Sequence, residues 1–359
     1  MSTQFKPGCA PLLIGSIPLQ DHREATELIL KYTPETPLWA QLPSYPQEGM
    51  VPQFLPGMPG YSVSDGKEYV DTESEGFETE LLQLYEEYMA ATEAGESLDN
   101  TRFKLTEDRA KGFFDLLDKL RDENRALLAV KGQITGPITF ATGVKDQSKK
   151  AVFYDEQLRD AAVKLLALKA GWQTEKLSEF NVPVIVFFDE PALAGFGSSE
   201  FMSISKQDVM NCFSEVIEPV HARQGLTGIH VCANADWSII LESEADILSF
   251  DAYSYFDKLV IYADSLKQFL ERGGIIAWGI VPTLEPADIE KESVDSLLDQ
   301  MEDKLKQLQD LGFDRRQLLE QSFITPSCGT GSLSFELADT VLHLTKGVSD
   351  RLRQELTDG

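Results

Sequence analysis

Val182-Pro-Val-Ile-Val-Phe-Phe188 is a short apolar run rich in β-branched and aromatic residues, and helix-like stretches flank it from Glu156 to Glu179 and from Lys206 to Arg223. A run this short between amphipathic helices reads as a buried strand of a parallel sheet. Working outward from it, seven more segments of the same kind appear. They are Leu12 to Ile17, Pro37 to Gln41, Leu128 to Ile134, Thr227 to Val231, Ile247 to Asp251, Ile275 to Ile280 and Ser322 to Thr325. Further helical stretches run from Glu24 to Tyr32, Leu259 to Glu271, Ser293 to Leu311 and Phe335 to Leu356. Eight strands alternating with helices predict an α/β fold of the (β/α)8 TIM barrel type.

Length agrees with that reading, since 359 residues fit one barrel of ~250 to 400 residues. No internal repeat or linker calls for a second domain, so residues 1–359 are expected to form a single catalytic barrel. The span from Leu42 to Leu127 is too long for one crossover. It carries Pro and Gly between Pro43 and Gly60 and two helical patterns after them. Residues 42–127 are therefore expected to be an enlarged helical insertion after strand two, near the mouth of the barrel.

Composition narrows the function. Hydrophobic residues make up 42% of the chain and charged residues 25%, as in ordinary proteins with a buried core. The 32 Lys+Arg against 59 Asp+Glu give a formal charge of −27, which repels phosphate backbones and anionic lipid. Neither nucleic acid nor a membrane is an expected partner. The stretch from Met1 to Lys6 has no basic segment leading into an apolar core, and no run approaches the ~20 residues of a membrane span. A cytoplasmic protein is expected. Its four cysteines, Cys9, Cys212, Cys232 and Cys328, are too sparse for a disulfide framework.

Two of them sit where metal chemistry is plausible. Gly228-Ile-His-Val-Cys-Ala233 sets His230 and Cys232 two residues apart at a strand's C-terminal end, so strand periodicity directs both to one side. Thr325-Pro-Ser-Cys-Gly-Thr-Gly331 follows the last strand and brings Cys328 to the same face. Asp251 closes the strand between them. Two thiolates, an imidazole and a weaker oxygen ligand suit zinc better than magnesium or calcium. Alone, a His-x-Cys reads as a packing feature, because buried free cysteines are common; together with the late Cys-Gly loop in barrel order, the site reading is favoured. Cys9 and Cys212 lack that context and are assigned to packing. His22, His221 and His343 lie on or beside helices without metal-like spacing. No His-Glu-x-x-His helix of a hydrolytic zinc site occurs, whereas a zinc site with two thiolates suits alkylation of an incoming thiol.

Taken in order, Leu13-Ile-Gly-Ser-Ile-Pro18, Lys131-Gly-Gln-Ile-Thr-Gly-Pro137, Phe188-Asp-Glu-Pro-Ala-Leu193, the His-x-Cys segment and the Pro-Ser-Cys-Gly segment resemble the methionine synthase and uroporphyrinogen decarboxylase superfamily of barrels. The match is to the catalytic C-terminal domain of cobalamin-independent methionine synthase, and it runs through nearly the whole chain. The resemblance implies zinc-dependent methyl transfer to the thiol of homocysteine, a step of methionine biosynthesis. It implies metal ligands at His230, Cys232 and Cys328. Asp251 stands where the family has a zinc glutamate; its shorter reach leaves a metal, neighbouring or substrate role open. Ile14, Gly15 and Ser16 are implied to hold the substrate carboxylate and Asp189 its ammonium. A strand-end turn at Ser16 and a helix cap or ion pair at Asp189 are the plain structural alternatives. Glu48 is the nearest candidate for a second acid at the amino-acid pocket.

The sequence departs from that family on the donor side. It has one barrel, and its strand-seven end, Trp278-Gly-Ile-Val-Pro-Thr283, lacks the family's histidine. A folate donor needs its leaving nitrogen protonated, whereas a corrinoid does not. Methylcobalamin or a methylated corrinoid protein is therefore the expected donor. The competing functions are methylcobalamin-dependent transfer to coenzyme M or another small thiol, and a noncatalytic zinc or thiol-binding barrel.

Overall fold

Short concave-facing apolar strands, each followed by a helix, build the molecule around a curled parallel sheet. The computed structural model describes residues 5–93, 97–123, 125–196 and 204–358, so most of the Met1 to Lys6 stretch lies outside the described residues. Among the described residues the strands are β1 (Ala10–Pro11), β2 (Tyr61–Ser64), β3 (Lys67–Val70), β4 (Val130–Thr135), β5 (Val184–Asp189), β6 (Leu226–Val231), β7 (Ile247–Phe250), β8 (Ile275–Val281) and β9 (Ser322–Pro326). The helices are α1 (His22–Tyr32), α2 (Phe77–Glu93), α3 (Glu107–Asp122), α4 (Pro137–Gly143), α5 (Glu156–Leu177), α6 (Lys206–His221) and α7 (Trp237–Leu241). They continue with α8 (Ala252–Leu259), α9 (Ala263–Glu271), α10 (Pro286–Lys291), α11 (Val294–Asp310), α12 (Arg315–Glu320) and α13 (Phe335–Asp358). No helix among the described residues is long and apolar enough to cross a membrane.

Seven strands pair in the order β1-β9-β8-β7-β6-β5-β4, all parallel. Residues alternate between its two faces. Val184, Val186 and Phe188, with Ile229, Val231, Leu248, Phe250 and Ile324, join the large core that includes the helices. Their sequence neighbours Ile185 and Phe187 instead join Leu12, Ala129, Ile247, Ile275, Ala277 and Phe323 in an apolar floor on the concave face. Two residues further along the same strands, period-two alternation puts Asp189, His230, Ser249 and Thr325 above that floor. The polar layer is thus a direct product of strand register.

The segment expected to be strand two makes only isolated bridges, Leu38↔Lys131 and Ser16↔Gln41. Its backbone bonds are Lys131 N–H to the Pro37 carbonyl at 2.9 Å, Gln41 N–H to Gly15 at 3.1 Å and Ile17 N–H to Gln41 at 3.0 Å. The Trp39 carbonyl instead accepts from the Gln133 side-chain amide at 2.7 Å, so a side chain interrupts the backbone ladder there. The first expected strand is likewise shorter in the ladder than Leu12 to Ile17, although the Leu12 N–H still donates to the Ile324 carbonyl at 2.9 Å.

Within residues 42–127 the two expected helices are α2 and α3. The antiparallel hairpin β2–β3 was not anticipated. Its turn, Asp65-Gly66, has φ of 50° and 72°, the doubly left-handed backbone that a two-residue hairpin turn requires. The stretch expected as one helix from Leu259 to Glu271 takes in the last residue of α8, a 3-10 turn at Val260–Tyr262 and then α9. Residues 42–127 reach the C-terminal strand ends, where the Thr135 hydroxyl donates to the Met50 carbonyl at 2.6 Å.

Candidate metal centre

Strand β6 carries His230 toward the concave side and releases Cys232 one residue past its end. Because His230 pairs in register with Ser249 on β7, the two side chains lie side by side on the same face. The His230 Nδ1 to Ser249 Oγ distance is 2.9 Å. His230 is buried, and its other ring nitrogen, Nε2, makes no hydrogen bond among the described residues.

Cys328 arrives on the loop after β9, which is held from both sides. The Ser327 N–H donates to the Val281 carbonyl at 2.8 Å, and the Ser327 and Thr283 hydroxyls are 2.9 Å apart. On the other side the Thr330 N–H and hydroxyl both donate to the Ser16 carbonyl at 3.0 Å. The Gly331 N–H donates to Ser16 Oγ at 3.2 Å. A Cβ on Gly329 would come within 2.1 Å of that same Oγ, so a side chain there would displace the Ser16 hydroxyl from its bond to Gly331. Sequence reasoning gave Ser16 a substrate role and missed its contact with the Cys328 loop. The Pro-Ser-Cys-Gly-Thr-Gly composition is the signal that some element packs closely on that turn.

The ligand atoms of His230, Cys232 and Cys328 all lie within 4.8 Å of one another. Zinc bonded to thiolates at ~2.3 Å and imidazole at ~2.0 Å in a tetrahedron sets ligand atoms roughly 3.5 to 3.8 Å apart, so modest side-chain rotation closes the group on an ion. Both thiols remain partly exposed. The unpartnered Nε2 fits such a site, because a metal ion would satisfy a buried imidazole nitrogen that no described protein group bonds. The cluster can hold a metal ion and is compatible with zinc.

Electrostatics agree with that donor set. Contact with the Cys328 thiol, then with His230, holds Cys232 well below the usual thiol range. The neighbouring Cys232 and burial push Cys328 in the opposite direction. A divalent cation bound between the two sulfurs would stabilise both as thiolates. Asp189, with a buried Oδ1 that makes no hydrogen bond among the described residues, is pushed up to about 6 by burial, against the pull of His230 and Lys131.

The other expected residues fall around this group or away from it. Asp251 is buried but is not one of the clustered ligand atoms; its carboxylate caps α8 by accepting from the Ser254 N–H at 2.8 Å. Burial raises its pKa. Glu48 is buried and already engaged, with Oε1 2.6 Å from His22 Nε2 and Oε2 accepting from the Leu42 N–H at 2.9 Å. Glu190 caps α4, accepting from the Ile138 N–H at 2.7 Å and the Thr139 N–H at 2.9 Å. Burial pushes it up to about 7. Cys9 and Cys212 are buried in the core as expected, with pKa values raised by desolvation. His221 bonds Asp246 at 2.8 Å, away from the cluster.

No protein-family model matches this chain, and no curated protein matches it significantly.

Proposed function

We propose that this chain is a core methionine synthase, a zinc-dependent enzyme that methylates the thiol of homocysteine, using methylcobalamin or a methylated corrinoid protein as donor. The observation that carries the reading is the buried, unpartnered His230 Nε2 beside two thiols at the strand ends. When bound, zinc supplies the positive charge that favours the thiolate of an incoming thiol at neutral pH. His230, Cys232 and Cys328 hold the metal, and Ser249 fixes the imidazole. Three protein ligands leave a position for the substrate, which distinguishes the site from a closed structural one.

Asp189 receives the homocysteine ammonium through its unpartnered oxygen, while Ile14, Gly15 and Ser16 receive the carboxylate. Coenzyme M has a sulfonate and no amine, so Asp189 disfavours it. In the transfer a carbon–sulfur bond forms, the carbon–cobalt bond breaks, its electron pair leaves with the corrinoid, and the thiol proton passes to solvent. Glu190 is occupied as a helix cap and Thr283 with Ser327. Neither is free to protonate a folate leaving group, which favours the corrinoid.

For the frame, we read the curled sheet as most of a (β/α)8 barrel, with residues 37–41 as its remaining strand and residues 42–127 as an insertion at its mouth within one catalytic domain, 1–359. The bridges at Leu38 and Ser16 support this closure. The test is methionine formation by the zinc-loaded chain from homocysteine and methylcobalamin, run beside methyltetrahydrofolate. Methionine from the corrinoid alone supports the proposal; efficient turnover with the folate alone, or none with either donor, sinks it.

A further inference from the structure

Lys131 is a cation in the interior for which the scheme above has no use. It lies on β4, is 0% exposed, and places Nζ 4.6 Å from the centroid of the Phe187 ring. The ammonium donates to the Ile14 carbonyl at 2.5 Å and faces Gln133 Oε1 at 3.3 Å. It forms no ion pair among the described residues, although it feels the Asp189 carboxylate at longer range. Asp189, on the neighbouring strand, keeps an oxygen with no partner. A buried cation and a buried anion that do not meet are each costly. A ligand carrying both charges would complement them.

The peptide unit that Lys131 holds contributes the Gly15 N–H on its other side. The Gly15 and Ser16 amides donate to no group among the described residues. A cation bonded to a carbonyl polarises that peptide and strengthens its N–H as a donor to an anion.

We propose that Lys131 is a specificity-determining residue that selects thiols bearing a carboxylate, acting through the Ile14–Gly15 peptide and through its own field, opposite the ammonium site at Asp189. The inference rests on the thiol-methylation reading and adds to it a residue that discriminates substrates by their carboxylate. Lys131 touches the carboxylate through the backbone, so it is a positioning residue.

The test is calorimetric binding to the zinc-loaded full chain of three thiols: homocysteine, 3-aminopropane-1-thiol, which lacks the carboxylate, and 4-sulfanylbutanoate, which lacks the amine. Wild type should prefer homocysteine to the aminothiol by about 10- to 100-fold, the usual scale of a charge-assisted contact. Lys131→Met should erase that preference while binding the aminothiol as wild type does, and Lys131→Arg should restore part of it. Retained preference in Lys131→Met, or equal loss for homocysteine and the aminothiol, overturns the proposal. Should Lys131→Met not fold, the wild-type comparison still decides, because absence of a carboxylate preference overturns the proposal by itself. Failure of wild type to bind any of the three thiols overturns the thiol-methylation reading instead, and this inference with it.

Discussion

Ser249 Oγ lies 2.9 Å from His230 Nδ1, across the register that pairs these residues on adjacent strands. With the Nδ1 proton donated to Ser249, the lone pair is left on Nε2, which then has no other protein partner among the described residues and is available to a metal ion. Ser249→Ala should therefore weaken zinc binding by about 10- to 100-fold, measured by competition with a chromophoric chelator. Ser249→Thr should bind like wild type. Equal affinity in the alanine variant would show that the imidazole is held by other means.

Gly279 sits where β8 passes between two site-bearing segments. A Cβ there would meet the Phe250 carbonyl oxygen at 2.4 Å, the Ser327 Cα at 2.8 Å and the Asp251 Cα at 3.2 Å. All three are backbone atoms with no flexible side chain to yield. Gly279→Ala should destabilise the fold by about 1–3 kcal/mol in denaturant unfolding and lower zinc content, since the Cys328 loop must shift. Wild-type stability with full zinc content would contradict this account of the loop.

The parts of this architecture that were legible in the sequence are those set by strand periodicity. His230, Cys232 and Cys328 were placed on one face because two-residue spacing and a Gly-rich turn after the last strand leave little choice. Residues 37–41 were harder to read, because whether the Trp39 carbonyl takes a backbone or a side-chain partner depends on Gln133, distant in sequence. The β2–β3 hairpin was legible in Asp65-Gly66 and was overlooked inside a Pro- and Gly-rich span. Glu48, His22 and Glu190 could not be sorted by sequence, since a buried acid that caps or pairs and one that binds substrate have the same residue type. Ser249 was invisible for a related reason: its importance arises from cross-strand register.

His221 offers a test of pH-linked stability away from the metal centre. Its bond to Asp246 raises its pKa against the opposing effect of burial. A raised folded-state pKa means that protonation favours the fold. The contribution is fully present below the unfolded value near 6.5 and is lost as pH rises through the folded value. His221→Gln should thus lower the melting temperature at pH 5.5, and that deficit should shrink as the pH is raised. With the ring more than a third exposed on its side chain, the effect should be small. A deficit that grows with pH would reverse the assigned sign.

The central claim is that His230, Cys232 and Cys328 hold a zinc ion with a position left for the substrate thiol. X-ray absorption at the zinc edge, recorded with and without homocysteine, tests it most directly. The account predicts two sulfur ligands and one imidazole in the resting protein, with a third sulfur appearing at ~2.3 Å when homocysteine is added. A metal shell that excludes either cysteine, or one whose sulfur count is unchanged by saturating homocysteine, would contradict it.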